Sequence, residues 1–425
     1  MTSVRFLHTA DLHMGTPFRG LTRDLPQAWS ERLQHAAETV FDRIVDEACL
    51  RKVDFVTIAG DLFDREGAAM SAHFALLKGF RQLEKAGIQV VLTHGNHDPI
   101  RGEQPIHWPG NVTVLGPCET TAETEAAPSV ILETASGHRV QVSGFSYTAP
   151  EMRRPMHHAF IRQRSVDFAI GLYHGAVGSY AEHENYCATT VDNLSARQFD
   201  FWGLGHIHQP QVLRKSHPGI LYPGNPQGRH ARESGERGCA LIELSEGGHV
   251  EFSFLPIATV EWESLSVSLD ECQDLRDVLS TLSAELERFA AHHDVFRIAR
   301  IQLTGITPVH KWLVQDEETV DEFRAELSSR FPKILVSRLA VATMPAADID
   351  KLRNSQEFVG EFLRLCETYL NNPEKITEEL GVVLRDVFHA GNGLAVEQLT
   401  EEELRGLLLR ARGHALAFVG EEDTL

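Results

Sequence analysis

Short apolar runs alternate with amphipathic segments in the N-terminal part of the chain. Residues 4–7, 55–59 and 90–92 are predominantly apolar runs of strand length. Residues 29–48 carry apolar side chains at helical spacing, and a second helical stripe follows the second run, at Phe74, Leu77, Phe80 and Leu83. This alternation of strands and helices predicts a layered α/β domain.

Beyond residue 110 the pattern becomes richer in strands, which glycine and proline separate. The predicted strands cover residues 130–132, 140–142, 168–173, 201–204, 220–222, 240–244 and 250–255. Pro256 follows the last of them, so we place the end of the first domain there and assign residues 1–256 to it.

Two further regions follow the first domain. Residues 257–345 are predicted to form a small α+β domain, with strands at 265–269, 296–303 and 334–337 and helices at 275–289 and 320–329. Residues 346–425 are acidic and are predicted to be helical, with breaks at Asn372 and Gly391.

The composition excludes several classes of protein. The chain has 425 residues, of which 42% are apolar and 24% charged, so it is globular and long enough for two or three domains. Its six cysteines include no C-x-x-C pair, which argues against a thiolate zinc site and a disulfide scaffold. Because no apolar run reaches spanning length and residues 1–7 lack a basic signal-peptide start, we expect a cytoplasmic protein with no membrane association.

The net charge of −20 gives no reason, by itself, to expect nucleic-acid binding. A polyanionic substrate would need a local positive feature, such as bound metal ions. The candidate chemistry therefore has to come from clusters of polar residues.

Such clusters follow five of the predicted strands. They read His8-Thr9-Ala10-Asp11-Leu12-His13, Gly60-Asp61-Leu62-Phe63-Asp64, His94-Gly95-Asn96-His97-Asp98, Tyr173-His174-Gly175 and Gly205-His206-Ile207-His208. Ligands of layered α/β folds bind at the carboxyl ends of strands, so we expect the five clusters to converge on one site.

The clusters supply oxygen and nitrogen donors that suit transition-metal ions. The candidate ligands are Asp11, His13, Asp61, Asn96, His174, His206 and His208. They exceed what a single ion takes, and they suit two ions of the manganese or iron type about 3.5–4 Å apart, with Asp61 as the bridge. Each motif alone is a weak signal, since D-x-H is common and G-N-H-D also suits a turn, so the ordered set carries the prediction.

The order D-x-H, G-D-x-x-D, G-N-H-D, H, G-H-x-H resembles that of the calcineurin-like metallophosphoesterase superfamily. The resemblance implies a four-layer αββα sandwich over residues 1–256, a small α+β capping domain at 257–345 and a C-terminal helical partner-binding region at 346–425. The longer strings at residues 6–15 and 60–64 resemble the DNA repair exonuclease branch, which is SbcD-like. Residues 222–230 resemble its YhaO-like bacterial subgroup.

The resemblance also assigns roles to the candidate ligands. Asp11, His13, Asp61 and His208 would hold one divalent ion, with Mn2+ as the expected metal. Asp61, Asn96, His174 and His206 would hold the other. His97 would stabilise the leaving 3′-oxygen, and Asp98 would orient His97. The roles of Asp64, which replaces a histidine or caps a helix, and of Asn225 stay open.

Other features have two readings each. Arg153 and Arg154, with Arg229 and His230, form either a DNA-backbone track or solvated loops. The stripe from Phe74 to Leu83 either packs in the core or forms a homodimer interface. The C-terminal helices either pack within the chain or bind an SMC-type, SbcC-like ATPase, as the resemblance implies.

Three functions compete. The first is a manganese-dependent DNA exonuclease, acting 3′→5′ on duplex ends and as an endonuclease on single strands, within a repair complex with the ATPase. The alternative is a small-molecule phosphoesterase acting on a nucleotide or a diphosphate. A structural subunit with a residual metal site is disfavoured because all seven ligands are present, and the long region after the first domain favours the nuclease.

Overall fold

The computed structural model describes residues 3–412 except 17, 19–20, 22–24, 65–68, 101–105, 119–125, 179–185, 291–294, 346–352, 356, 373–407 and 409–410. The chain divides into two compact units. One comprises Met1–Glu263 with Val295–Ile298, and the other comprises Ser264–Asp294 with Ala299–Leu425.

The first unit is built on twelve strands and four helices in its described part. The strands are β1 (Ser3–Thr9), β2 (Phe55–Ala59), β3 (Gln89–Thr93), β4 (Val112–Val114), β5 (Ser129–Glu133), β6 (Arg139–Gly144), β7 (Phe168–His174), β8 (Phe201–Gly205), β9 (Gln211–Arg214), β10 (Gly219–Tyr222), β11 (Gly238–Ser245) and β12 (His249–Pro256). The helices are α1 (Gln27–Gln34), α2 (Ala36–Arg51), α3 (Met70–Lys85) and α4 (Val191–Ser195), and a 3-10 turn covers His157–Ala159.

These strands form two six-stranded sheets. The first has the order β12-β11-β1-β2-β3-β4, and the second has the order β5-β6-β7-β8-β10-β9. In the first sheet β1, β2, β3 and β4 run parallel, and in the second β6, β7, β8 and β10 do. Each sheet therefore presents a set of carboxyl strand ends at one edge.

Alternating side chains build two layers of core on the first sheet. Leu7 and Val56 face the helices α2 and α3, whereas Phe6 and Phe55 face the second sheet, as the period of two in a strand requires. Phe6 stacks on Phe55 at 4.8 Å and meets the edge of Phe201 from the second sheet at 5.5 Å, between ring centroids. The two sheets thus share one apolar core.

A third core covers the outer face of the second sheet. Trp202 and Tyr173 pack there with Leu194 of α4 and Ala159 of the 3-10 turn. The layers are helices, sheet, sheet, and a thin cover of short helical elements and loops. The predicted α/β sandwich is confirmed.

The predicted helix over residues 29–48 is two helices. His35, with φ −104° and ψ 6°, separates α1 from α2. Apolar side chains on both helices still fall on one face, so the spacing alone could not reveal the break.

Of the two interpretations of the α3 stripe, core packing is wrong for Phe74. Phe80 and Leu83 are buried, but Phe74 is 57% exposed. The buried face instead includes Gly79, where a Cβ atom would lie 2.4 Å from the Phe41 ring. The glycine permits this close approach of α3 to α2. A stripe that is identified from large apolar residues does not include such a position.

The second unit has its own core, around Leu282, Ile301 and Leu327. Its elements are β13 (Val260–Ser268), α5 (Leu275–Ala290), β14 (Phe296–Thr304), β15 (Ile306–Thr307), α6 (His310–Gln315), α7 (Glu317–Arg330), β16 (Ile334–Val341), β17 (Met344–Pro345) and α8 (Phe358–Asn371), although β13 and β14 begin in the first unit. β13, β14 and β16 form a three-stranded sheet. The other predicted C-terminal helices lie almost entirely outside the described residues. Among the helices that are described, none has the length and apolar character needed to cross a membrane.

Candidate metal centre

The seven candidate ligands lie at or just beyond the carboxyl ends of five parallel strands. Three of these strands, β1, β2 and β3, belong to the first sheet, and β7 and β8 belong to the second. Backbone hydrogen bonds join the loops after β1 and β2: the Asp11 N–H donates to Gly60 O at 3.1 Å, and the His13 N–H donates to Asp61 O at 3.0 Å. The predicted convergence of clusters on one site is therefore present in the fold.

The backbone of this site is strained at four candidate ligands. Asp11, His13, Asp61 and His206 have φ values of 53°, 44°, 51° and 97°, in the left-handed region. Such conformations cost about 1–2 kcal/mol for a non-glycine residue and persist where the surrounding structure enforces them. Four of the seven non-glycine residues with positive φ in the described chain are candidate ligands, so the strain concentrates at this site.

The first ion position lies between His13 and His208. Their Nε2 atoms are 3.0 Å apart, and donor atoms of Asp11, His13 and His208 all lie within 4.8 Å of one another. His208 Nδ1 is 2.5 Å from Glu233 Oε1, so Nδ1 carries the proton and Nε2 presents a lone pair. Burial and the Arg229 charge lower the pKa of His13 to about 3, which leaves that ring neutral at pH 7. Facing nitrogen atoms at this separation fit a shared cation.

The second position lies between His174, His206 and Asn96. Asn96 Oδ1 is 3.0 Å from His174 Nε2 and 3.2 Å from His206 Nδ1. His174 Nδ1 donates to Ala59 O at 2.9 Å, so its Nε2 faces Asp61 Oδ2 at 3.5 Å. His206 is held by its backbone N–H, which donates to the Asp11 carboxylate at 3.0 and 3.1 Å.

Asp61 stands between the two positions. Its Oδ2 atom is 3.5 Å from His174 Nε2 and 3.7 Å from His13 Nε2. Asp11 also has carboxylate oxygens within reach of both groups of ligands. The oxygen and nitrogen donors fit two divalent cations that share a carboxylate.

Gly95 leaves room for these ligands. A Cβ atom at this position would lie 2.2 Å from Asp61 Oδ1 and 2.7 Å from His174 Nε2. Gly95→Ala should therefore displace both side chains and weaken ion binding by at least about tenfold, the scale of effects on ligand orientation. Elemental analysis after dialysis measures the loss. Gly116→Ala is the matched control because a Cβ there meets nothing within 4 Å, and it should retain both ions.

Protons occupy the ligand set when no ion is bound. Burial alone would lower the pKa of His174, but the Asp61 and Asp11 carboxylates raise it to about 9. Burial, against the attraction of His174 and His208, raises the pKa of Asp11 to about 6. Burial would raise the pKa of Asp61 as well, but His174 and His13 hold it below its usual range.

Ion binding should therefore compete with protons. Ligands must lose their protons to bind a metal, so Mn2+ affinity should rise with pH from about 6, where Asp11 deprotonates, towards about 9, where His174 does. At pH 7 binding should release about one proton, from His174. Calorimetry in buffers of different ionisation enthalpy measures both quantities, and an affinity that stays flat over this range would contradict the assignment.

His97 lies at the rim of the site. Its ring centroid is 4.8 Å from that of His13, its side chain is 42% exposed, and its Nδ1 donates to Asp64 O at 2.7 Å. Its backbone N–H donates to Asp61 Oδ1 at 3.0 Å. The Nε2 atom is thus the nitrogen left for a substrate.

The expected role of Asp98 needs correction. Its carboxylate accepts hydrogen bonds from the backbone N–H groups of Leu62 and Gly95 at 3.0 and 2.8 Å, and it contacts His94 Nδ1 at 3.0 Å. Asp98 therefore fastens the loop after β3 to the loop after β2. The residue that holds the His97 ring is Asp64, through its backbone carbonyl.

Asp64 does not cap a helix, because Ala69 precedes α3. Its Oδ1 atom instead lies 2.9 Å from Arg229 Nη1 and 3.4 Å from His13 Nδ1. The donor atoms of Asp64, His13 and His97 also lie within 4.8 Å of one another. Asp64 therefore belongs to the surroundings of the first ion position.

The candidate substrate-binding residues divide into two groups. Arg229 is buried and pairs with Asp64, and His230 Nε2 lies 3.4 Å from Glu233 Oε1. Arg153 and Arg154 are exposed, and Arg153 pairs with Glu151 at 3.3 Å. Arg229 lacks the exposure that a DNA-backbone track requires, whereas Arg153 and Arg154 are exposed and His230 is partly exposed.

Both polar atoms of the Asn225 side-chain amide form hydrogen bonds within the protein. Its Nδ2 donates to Gln227 O at 2.9 Å, and its Oδ1 accepts from Arg237 Nη1 at 3.0 Å. Arg237 is fully buried and also donates to His208 O. Asn225 and Arg237 thus fix the loop that follows β10 against the candidate metal ligand His208.

Glu233 is the residue of this site that the sequence did not reveal. Burial would raise the pKa of its carboxyl, but the hydrogen bond from His208 and the charge of Arg229 hold it below the usual range. It follows no predicted strand and belongs to no recognised motif. The one available signal was an acidic residue within a loop otherwise rich in basic side chains.

Two families and several proteins are similar to this chain. The family described as calcineurin-like phosphoesterase matches residues 4–210, and the one described as metallophosphoesterase YhaO, middle domain, matches residues 262–344. The metallophosphoesterase YhaO of Bacillus subtilis is 32% identical over 78% of this chain and 78% of that protein. The DNA double-strand break repair protein Mre11 of Methanopyrus kandleri is 25% identical over 77% of this chain and 71% of that protein. A Bacillus subtilis protein named as a subunit of the nuclease SbcCD is 22% identical over 78% of this chain and 92% of that protein.

Proposed function

Since the chain belongs to the calcineurin-like phosphoesterase family and carries a YhaO-type middle domain, we propose that it is a manganese-dependent DNA exonuclease. It would act 3′→5′ on duplex ends and cut single strands internally. The observation that supports the proposal is that seven side chains with oxygen and nitrogen donors lie together at the carboxyl ends of the strands, with His97 beside them. Similarity to proteins named for break repair and for a nuclease supports DNA as the substrate.

The chain's own residues would perform most of the reaction. Two Mn2+ ions at the two positions would supply Lewis acidity, neutralising phosphate oxygens and activating a water for in-line attack. Asp61 would hold both ions at a fixed separation. His97, oriented by Asp64 O, would donate a proton from Nε2 to the leaving 3′-oxygen. Asp98 would keep the loop that carries His97 in place.

A small-molecule phosphoesterase remains the second candidate because several arginines are engaged in structural contacts. Arg229 pairs with Asp64, Arg237 is buried, and Arg162 pairs with Asp200 at 2.6 Å. The DNA track would then rest on Arg153 and Arg154. A compact substrate such as a nucleotide needs no such track.

A parallel assay separates the two functions. Purified protein with Mn2+ is given a labelled duplex oligonucleotide, a single-stranded oligonucleotide and bis-p-nitrophenyl phosphate. Nucleotide release from the duplex supports the exonuclease. Cleavage of the small diester alone, even with the ATPase partner added, would contradict it. Reversing the label between the 3′ and 5′ ends reports the polarity.

The proposed repair complex includes an SMC-type, SbcC-like ATPase bound by the C-terminal helices. In α8 the side chains of Phe358 and Leu365 are 79% and 50% exposed, and the Phe358 ring lies 6.3 Å from that of Phe362. Leu363 and Cys366, on a different face of this helix, are buried. An exposed apolar stripe on a packed helix suits a helix-in-groove contact.

Substituting this stripe should separate partner binding from hydrolysis. Phe358→Ser with Leu365→Ser should weaken ATPase binding by at least about 30-fold, as loss of apolar anchors does, and spare hydrolysis of the small diester. Asn371→Ala, at an exposed position of the same helix that helical periodicity places away from Phe358 and Leu365, should change neither. Co-purification of the double variant with the ATPase would contradict the docking role.

Self-association through α3 is the remaining proposed contact. Met70 and Phe74 are 46% and 57% exposed on this helix. Two such surfaces could pair in an isologous dimer. Sedimentation of the Phe74→Ser variant and of the unmodified chain tests the proposal. The variant should sediment as the smaller species.

A further inference from the structure

The carboxylate of Glu233 is buried and makes several polar contacts. It lies in the loop between β10 and β11 and is 4% exposed. Its Oε1 atom is 2.5 Å from His208 Nδ1, 3.4 Å from His230 Nε2 and 3.6 Å from Arg229 Nη2, and its Oε2 atom accepts the Arg229 backbone N–H at 2.7 Å. The loop thus holds this carboxylate directly behind a metal ligand.

The contact with His208 fixes the ring for ion binding. Because a carboxylate only accepts hydrogen bonds, Nδ1 must donate, and the lone pair of Nε2 then points towards His13 Nε2. A carboxylate behind a ligating histidine also raises the basicity of the ring. In the second position His174 is backed by the neutral carbonyl of Ala59 instead.

The distribution of charge also favours cation binding at the first position over the second. Asp64 lies 3.4 Å from His13 Nδ1, and Glu233 lies behind His208, so two carboxylates stand behind ligands of the first position. Arg229, which contacts both of them, offsets one negative charge. The Asn96 amide, which is neutral, contributes to the second position. One net negative charge near the first position should strengthen the binding of a divalent cation there.

We propose that Glu233 is a positioning residue that makes the two ion positions unequal. The position formed by Asp11, His13, Asp61 and His208 fills first and binds its ion more tightly. The position formed by Asp61, Asn96, His174 and His206 fills second. The inference rests on the two-ion site of the proposed function, but it concerns the binding of the metal alone.

Titration of the full chain with Mn2+ tests the order of filling, with affinity and stoichiometry read by calorimetry. The unmodified protein should show two steps. Glu233→Gln retains an oxygen that can accept from His208 but removes the charge, and it should weaken the tighter step by about 10–100-fold while sparing the other. Two ions of equal affinity in the unmodified protein would overturn the proposal without any variant.

Double variants identify which ion Glu233 supports. In an Asn96→Ala background the remaining ion should occupy the first position, and Glu233→Gln should weaken it by the full factor. In a His208→Ala background Glu233→Gln should have a much smaller effect, since the ligand that it supports is gone and only its charge beside the first position remains to be lost. Equal effects in both backgrounds would show no coupling to His208 and would contradict the proposal.

Asp200→Asn is the control that distinguishes the positioning of a metal ligand from the loss of any buried carboxylate. Asp200 also accepts a backbone N–H, from Ala169, and contacts Arg162 and His217, but it precedes β8 at the end opposite the site. Asp200→Asn should lower thermal stability and leave both ion affinities unchanged. If Glu233→Gln behaved in the same way, the proposal would be wrong.

Unequal ion binding without any nuclease activity would refute the DNA function and leave the inference on Glu233 intact.

Discussion

Asp61→Ala should leave the protein without either ion and without phosphodiesterase activity. The Asp61 Oδ2 atom lies 3.7 Å from His13 Nε2 and 3.5 Å from His174 Nε2, so loss of this carboxylate removes a ligand from both positions. Each metal is worth several kcal/mol of transition-state stabilisation, and each 1.4 kcal/mol is a factor of ten in rate. We therefore expect turnover to fall by about 10³-fold or more. Elemental analysis and hydrolysis of bis-p-nitrophenyl phosphate measure the two losses.

A second variant separates charge from backbone strain. Asp61 has φ 51°, a conformation that alanine tolerates poorly and asparagine tolerates well. Asp61→Asn also retains an oxygen for the His97 backbone N–H, so it keeps the loop contact and removes only the charge. Both variants should lose the ions. Retention of two ions by Asp61→Asn would contradict the bridging assignment, even if Asp61→Ala bound none.

The sequence predicted the site because each ligand is local to a strand end. The run at residues 55–59 matches β2 at both ends, and Asp61 follows it by two residues. His174 is the last residue of β7, and His206 follows β8 directly. Once the strands were identified, the rule that ligands bind at carboxyl ends placed the clusters together. The resemblance to the calcineurin-like family, which rested on the same clusters, is confirmed.

The parts that the sequence did not reveal depend on contacts between distant loops. Arg229 contacts Asp64, which is 165 residues away in the sequence, and Glu233 contacts His208, which is 25 residues away. No periodic pattern in the sequence indicates either contact. Arg229 therefore looked like a free cation for DNA when it is a buried partner of two carboxylates. The face of α3 was misread for a related reason, since small residues such as Gly79 pack closely without contributing to an apolar stripe.

Together these contacts define the environment of the reacting phosphate. The loop after β10 supplies Glu233 and Arg229 to the first ion position, and the loop after β2 supplies Asp64 to both Arg229 and His97. The proposed proton donor and the ligands of the proposed tighter ion position are therefore held by one connected set of contacts. A variant of His97 should be informative only if it leaves that set intact.

His97→Asn meets this condition and should lower turnover by about 10²–10⁴-fold, the usual contribution of a general acid, while both ions remain bound. The His97 ring contacts the set at its edge, and its backbone N–H, which binds Asp61, is unaffected by the substitution. The loss should be larger for DNA, whose leaving 3′-oxygen needs a proton, than for bis-p-nitrophenyl phosphate, whose leaving group is a stable phenolate. His107→Asn, at an exposed histidine after β3, is the matched control and should alter neither rate. Equal losses on the two substrates with full metal occupancy would show that His97 does not protonate the leaving group.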